Sequence, residues 1–232
     1  RSEEEYYDLE KAMTLRSAVI DRGGRILESH LIDSTVCDCC QTDLAPTARG
    51  AIAVYRNRTD GEIRDIQASR YQEGRWTEPV TVHPDGWKIG GCPVNGPAVA
   101  SSGDHMLISW FTNSGNTPQV KAVFSIDGGQ SFSDPVRIDD GNPLGRVDAA
   151  LRPEEKSGFV SWMEKTEEGA DFRYRKVGSE RMESVTVSAM NASRSSGFPR
   201  MVLQNSRLLF AWTAIDSLPH VETAYYPLTN GH

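Results

Sequence analysis

The stretch "HMLISWFTN" at 105–113 decides the fold, because the chain repeats its pattern in "GAIAVYRNR" at 50–58, "SGFVSWMEK" at 157–165 and "RLLFAWTAI" at 207–215. Each is a short apolar run of strand-forming residues that carries an aromatic ring near its end. Those rings, Tyr55, Trp110, Trp162 and Trp212, follow one another at intervals of 55, 52 and 50 residues. A period of this length is the mark of a repeat architecture, in which each unit buries its faces against its neighbours.

Working outward, an apolar strand precedes the aromatic run by some ten residues ("GPAVAS", "RVDAAL", "FPRMVL") and another follows it ("RDIQASRY", "VKAVFSID", "DFRYRKV", "VETAYYPL"). Three units add a last strand, "WTEPVTV", "FSDPVRI" and "MESVTVS". Four short strands per unit predict a blade of an all-β β-propeller, and a sandwich is the alternative that the same turn spacing permits. Residues 13–33 read as two strands only, and the last unit stops after its third. The expectation is a single domain over 1–232 with about four blades plus a half-blade of six, at roughly 10–35 (partial), 36–84, 92–140, 144–190 and 196–228 (partial). A missing N-terminal segment or a second chain is expected to cover the open sheet edge.

With 38% hydrophobic and 25% charged residues the composition is that of a globular chain able to bury a core. A net charge of -7 argues against nucleic acid, whose phosphates call for a surplus of Lys and Arg. No stretch approaches the roughly 20 apolar residues of a membrane-spanning helix. These exclusions leave a small-molecule ligand open as the partner.

In the second full unit "SIDGGQSF" sets Ser125, Asp127, Gly129, Ser131 and Phe132 in the pattern S-x-D-x-G-x-S-F. Such a turn uses Asp127 to accept backbone N–H groups, Gly129 to take a positive φ and Phe132 as a plug. This Asp-box on a propeller repeat resembles the sialidase-like BNR-repeat propellers, and "VCDCCQTD … YRNR … GCPVNGP … GRVD … GFPR" looks like a bacterial branch of that superfamily. The likeness covers residues 13–228.

The resemblance implies a six-bladed fold and a sialidase-like exo-glycosidase acting on an acidic or polar glycan. The first strand of each blade would line the central channel, so "CDCCQTDLA", "GGCPVNGPA", "LGRVDAA" and "SGFPRMV" converge on one mouth. Arg146 and Arg200 are the candidates to hold a substrate carboxylate, with Asp43 as general acid and Asn95 and Asp148 as further contacts. The tyrosine nucleophile is not placed, since Tyr225 and Tyr226 fall on an outer strand, and it is expected from segments preceding this chain. Arg56 and Arg58, in "YRNRTDGEIRD", are candidates for substrate binding or for a solvated, salt-bridged hairpin. The alternative function is a non-catalytic propeller that binds a glycan, a protein or a soft metal ion.

Cys37, Cys39, Cys40 and Cys92 are the chain's four cysteines. Neighbouring Cys39 and Cys40 cannot easily bond each other, which leaves bridges such as Cys37 or Cys40 to Cys92, or thiolates around copper or zinc. An even cysteine count suits two disulfides in an exported protein. A catalytic thiol is the third option, though no histidine lies nearby in sequence to activate one.

Overall fold

A computed structural model describes residues 12–180, 182–215 and 218–228, so positions 10 and 11 of the expected half-blade fall outside them. The chain is an all-β propeller. Strands β1 (Met13–Ile20) and β2 (Ile26–Val36) pair as a two-stranded sheet. The next sheet holds β3 (Asp43–Thr47), β4 (Gly50–Arg56), β5 (Ile66–Gln72), β6 (Arg75–Trp76) and β7 (Val80–His83). Then come β8 (Ala98–Ser102), β9 (His105–Thr112), β10 (Gln119–Ser125) and β11 (Val136–Arg137). The fourth sheet is β12 (Pro143–Arg152), β13 (Ser157–Lys165), β14 (Ala170–Val177) and β15 (Val185–Met190), and the last is β16 (Arg200–Gln204), β17 (Arg207–Ala214) and β18 (His220–Pro227).

Within each full sheet the strands run as an antiparallel meander, and one departure from four strands has a local cause. The outer strand of the first full blade is split into β6 and β7, both paired with β5. Pro79 lies in the break, where a residue without an N–H cannot continue the ladder.

The cores lie between blades. Strand β9 alternates, sending Met106, Ile108 and Trp110 to the seam with Ile52, Val54 and Ile66, and Leu107 and Phe111 to the seam with Val160 and Trp162. The third seam joins Phe159, Phe172 and Tyr174 to Met201, Phe210 and Trp212. Both faces of these strands are buried, so they read as continuous apolar runs. The repeated rings sit on β4, β9, β13 and β17 with 0, 0, 0 and 8% exposure, each such burial contributing about 1.5–3 kcal/mol. The two fully buried indoles each meet a carboxylate: Trp110 Nε1 donates to Asp85 at 2.6 Å and Trp162 Nε1 to Glu164 at 2.6 Å.

The half-blade is attached differently. Aromatic tips carry polar groups across that seam, Tyr55 to Asp33 (2.8 Å), Tyr71 to Glu28 (2.8 Å) and Trp76 to Ser17 (2.7 Å). At the other end, Val202, Val221 and Tyr225 of the last sheet are exposed.

The 125–132 turn closes on Asp127, whose Oδ1 accepts the amides of Gln130 (2.9 Å) and Ser131 (3.0 Å) and whose Oδ2 accepts the Ser131 hydroxyl (2.6 Å). Gly129 has φ +81°, and a Cβ there would come within 2.5 Å of Ile52 Cδ1 in the preceding blade. Phe132 packs on the same seam.

Candidate functional site

The register places four residues in one equivalent position of the innermost strands. Asp43 pairs with Val54, Ala98 with Ser109, Asp148 with Ser161 and Arg200 with Ala211, and each partner immediately precedes the repeated aromatic. The loops leading into these strands are tied to one another in sequence order. Gln41 exchanges two hydrogen bonds with Gly96, its Oε1 accepting the Gly96 amide at 2.9 Å. A side chain at position 96 would collide with the Gln41 backbone, so glycine is required for this approach. Asn95 Oδ1 then accepts the Arg146 amide at 2.8 Å while its Nδ2 donates to the Leu144 carbonyl at 3.1 Å. Arg146 in turn donates from Nη2 to the Ser193 carbonyl at 2.8 Å.

Arg146 therefore faces its neighbours rather than solvent. It is 8% exposed, takes a left-handed φ of +57°, and also places Nη1 3.2 Å from Met163 Sδ. Burial lowers its pKa from the ordinary arginine value, and the charge of Arg194 adds to the effect. Arg146, expected as a substrate clamp, directs Nη2 to the carbonyls of Ala192 and Ser193. Asn95 is likewise spent at both ends of its amide.

Asp43, the expected general acid, is engaged with backbone. Its carboxylate accepts the Val99 amide at 2.8 Å and the Leu44 amide at 2.9 Å, a stitch between adjacent blades. Asp148 makes the same stitch to Met201 at 2.8 Å. Its carboxyl, 4% exposed, differs electrostatically: burial raises its pKa, outweighing Arg200 and two backbone amides, and the charge of Asp43 raises it further. Arg200 sits against it with Nε 3.2 Å from Oδ2 while its side chain remains 61% exposed.

Arg56 and Arg58 overturn the expectation of a solvated hairpin, since Arg56, Arg58 and Arg64 are 2, 1 and 0% exposed. Arg56 spends its fork on three carbonyls, Asn95 (2.7 Å), Arg64 (2.6 Å) and Phe111 (2.6 Å), and lies over the Trp87 ring at 4.8 Å. Arg58 and Arg64 share Glu62, each with an Nη2 contact of 2.7 Å. Arg56 and Arg58, expected as substrate contacts, thus direct their donors to partners within the chain.

All four cysteines are paired, Cys37 with Cys40 and Cys39 with Cys92. The bridge between rim loops thus uses Cys39, not Cys37 or Cys40. The Cys37 amide is held by the Arg56 carbonyl at 3.0 Å, and the Cα atoms of Cys39 and Cys92 stand 6.1 Å apart.

Sequence reasoning missed Gln41 and Arg194. Arg194 extends from the last rim loop across to the Cys92 carbonyl at 3.5 Å, 102 residues away. Its only signal is its place just ahead of "SGFPR".

No family model matches this chain, and no curated protein matches it. Solved structures do. A crystal structure of an arginine-to-alanine triple mutant of AofleA from Arthrobotrys oligospora aligns with a TM-score of 0.57 at 10% identity, covering 95% of this chain and 66% of that one. A second AofleA structure gives 0.54 at 8% identity over 88% of this chain and 60% of that one. The K499G mutant of NanB sialidase from Streptococcus pneumoniae gives 0.49 at 15% identity over 88% and 34%. The chain thus spans about two thirds of AofleA's length and one third of NanB's, and at these identities the AofleA likeness speaks for the fold alone.

Proposed function

We propose that the rim of this propeller binds an acidic or polar glycan and that the site is sialidase-like, with Asp148 rather than Asp43 as proton donor. The observation that carries the reading is the Asp148 and Arg200 pair. A buried carboxyl whose pKa is raised stands beside an arginine that is still largely exposed, so one group can give a proton while the other receives an anionic substituent. Arg194 adds a second exposed guanidinium on the neighbouring loop. A nucleophile is not assigned among these residues. The two disulfides support export to an oxidising compartment.

The test combines binding and turnover on the protein with intact disulfides. Titration with a sialylated oligosaccharide, followed by NMR or calorimetry, should show binding that Arg200→Ala abolishes. Hydrolysis of aryl glycosides of acidic sugars should be lost in Asp148→Asn while binding persists. Binding without turnover in the unmodified chain would select the non-catalytic glycan-binding propeller, and absence of both would sink the reading.

A further inference from the structure

Stapling accounts for only one of the two disulfides. Cys39–Cys92 joins adjacent rim loops across 53 residues, whereas Cys37–Cys40 spans 3 residues within one loop that is already tied down. Closing so short a loop removes little unfolded-chain entropy, about 2 kcal/mol against about 4 for the long one. The sulfurs are nevertheless gathered in one place. Those of Cys37, Cys39 and Cys40 lie within 4.8 Å of one another, Cys37 Sγ is 3.9 Å from Cys39 Sγ, and Cys92 is bonded to Cys39.

We propose that this cluster, once reduced, is a binding site for a single Cu(I) ion held by three or four thiolates. Three sulfurs about 2.3 Å from a metal in a trigonal plane stand about 4 Å from each other; Cys37 and Cys39 already have that spacing at 3.9 Å, and breaking the Cys37–Cys40 bond frees the third sulfur to move to it. The ligands are all sulfur, which selects a soft cation, and three of them come from one loop, which suits the low coordination number of Cu(I) better than tetrahedral zinc.

The scaffold under the cluster does not depend on the disulfides. Cys37 is fixed by its amide bond to Arg56, Gln41 is fixed to Gly96, and the Arg56 fork anchors both loops from below. Arg64 donates from Nη1 to Cys37 Sγ at 3.5 Å, a cation placed to offset thiolate charge. Cys39, Cys40 and Cys92 are half-buried, so an ion can reach them.

Reduction of each disulfide takes two electrons and two protons: a dithiol supplies both and closes to its own disulfide, whereas a phosphine supplies the electrons and becomes the phosphine oxide, with water giving the oxygen and the two protons. Cu(I) then displaces thiol protons to solvent. The oxidised chain cannot bind, since no thiolate is present. This inference stands independently of glycan binding.

The test is anaerobic titration of Cu(I) into oxidised and phosphine-reduced chain against a chromophoric Cu(I) chelator, with native mass spectrometry for stoichiometry. The expected result is one Cu(I) per reduced chain, none in the oxidised chain, and a thiolate-to-copper charge-transfer band. Cys37→Ser/Cys40→Ser folds with the Cys39–Cys92 bridge and, under the same reduction, offers only two thiols, so it should bind Cu(I) at least about tenfold more weakly than the unmodified reduced chain. The proposal is overturned if reduced chain with its near-UV circular dichroism intact takes up no Cu(I), or if that double variant binds as well. It is equally overturned if zinc displaces Cu(I), or if reduction unfolds the chain and Cu(I) does not restore it.

Discussion

Asp43 and Asp148 occupy one register position on innermost strands two blades apart, and each lends a carboxylate oxygen to the backbone amide of the following blade, Val99 and Met201, both at 2.8 Å. The expected proton donor is in this respect a seam residue. Asp43→Ala should lower unfolding free energy by about 1–3 kcal/mol, the cost of leaving a half-buried amide unpaired, and Asp43→Asn should recover most of it. Urea denaturation of the two variants would check this; equal losses would show that charge, not the hydrogen bond, is what the seam needs.

Arg56 makes the largest single claim on the interior. Arg56→Met removes three hydrogen bonds to buried carbonyls together with the cation over Trp87, and should cost at least about 3 kcal/mol. Because two of those carbonyls belong to Asn95 and Phe111, hydrogen exchange should accelerate in the 90–97 loop as well as on β9.

Asp127 sets a pH dependence. Burial acts to raise its carboxyl, but the Ser131 hydroxyl and amide, the Ser125 hydroxyl and the Gln130 amide outweigh it and hold the pKa at about 2. A depressed carboxylate contributes stability that is complete above the ordinary aspartate value of about 4 and is lost as the pH falls toward the folded value. The stability difference between the unmodified chain and Asp127→Asn should therefore be constant above pH 5 and shrink steadily to pH 2. A difference that does not change over that range would place the effect in the neutral hydrogen bonds.

The two disulfides should separate by loop length. Removing Cys39 and Cys92 together as serines should lower stability by about 2–4 kcal/mol, while removing Cys37 and Cys40 should cost less. Thermal unfolding under non-reducing conditions would show the larger drop in melting temperature for the first pair.

The blades were legible because their pattern is local. Each aromatic run and its flanking strands lie within about 50 residues, and Tyr55, Trp110, Trp162 and Trp212 all fall on the second strand of their sheets. What the sequence withheld depends on contacts between units. Arg56 looks like a surface charge beside Arg58, Asp60 and Glu62 until Trp87 and two carbonyls from the next blade enclose it. Arg146 looks like a clamp until the Ser193 carbonyl, 47 residues on, takes its fork. The identity of the cysteine partners likewise rests on where residue 92 arrives in space, 53 positions after residue 39.

The ties from Gln41 to Gly96, from Asn95 to Arg146 and from Arg146 to Ser193 bear on how such a mouth can be borrowed. A single rim loop transplanted into another propeller would arrive without the donor on one side and the acceptor on the other that give it its shape. The portable unit is the whole hoop of four loops with the arginine floor beneath it, and a graft that keeps the hoop should tolerate replacement of the outer strands.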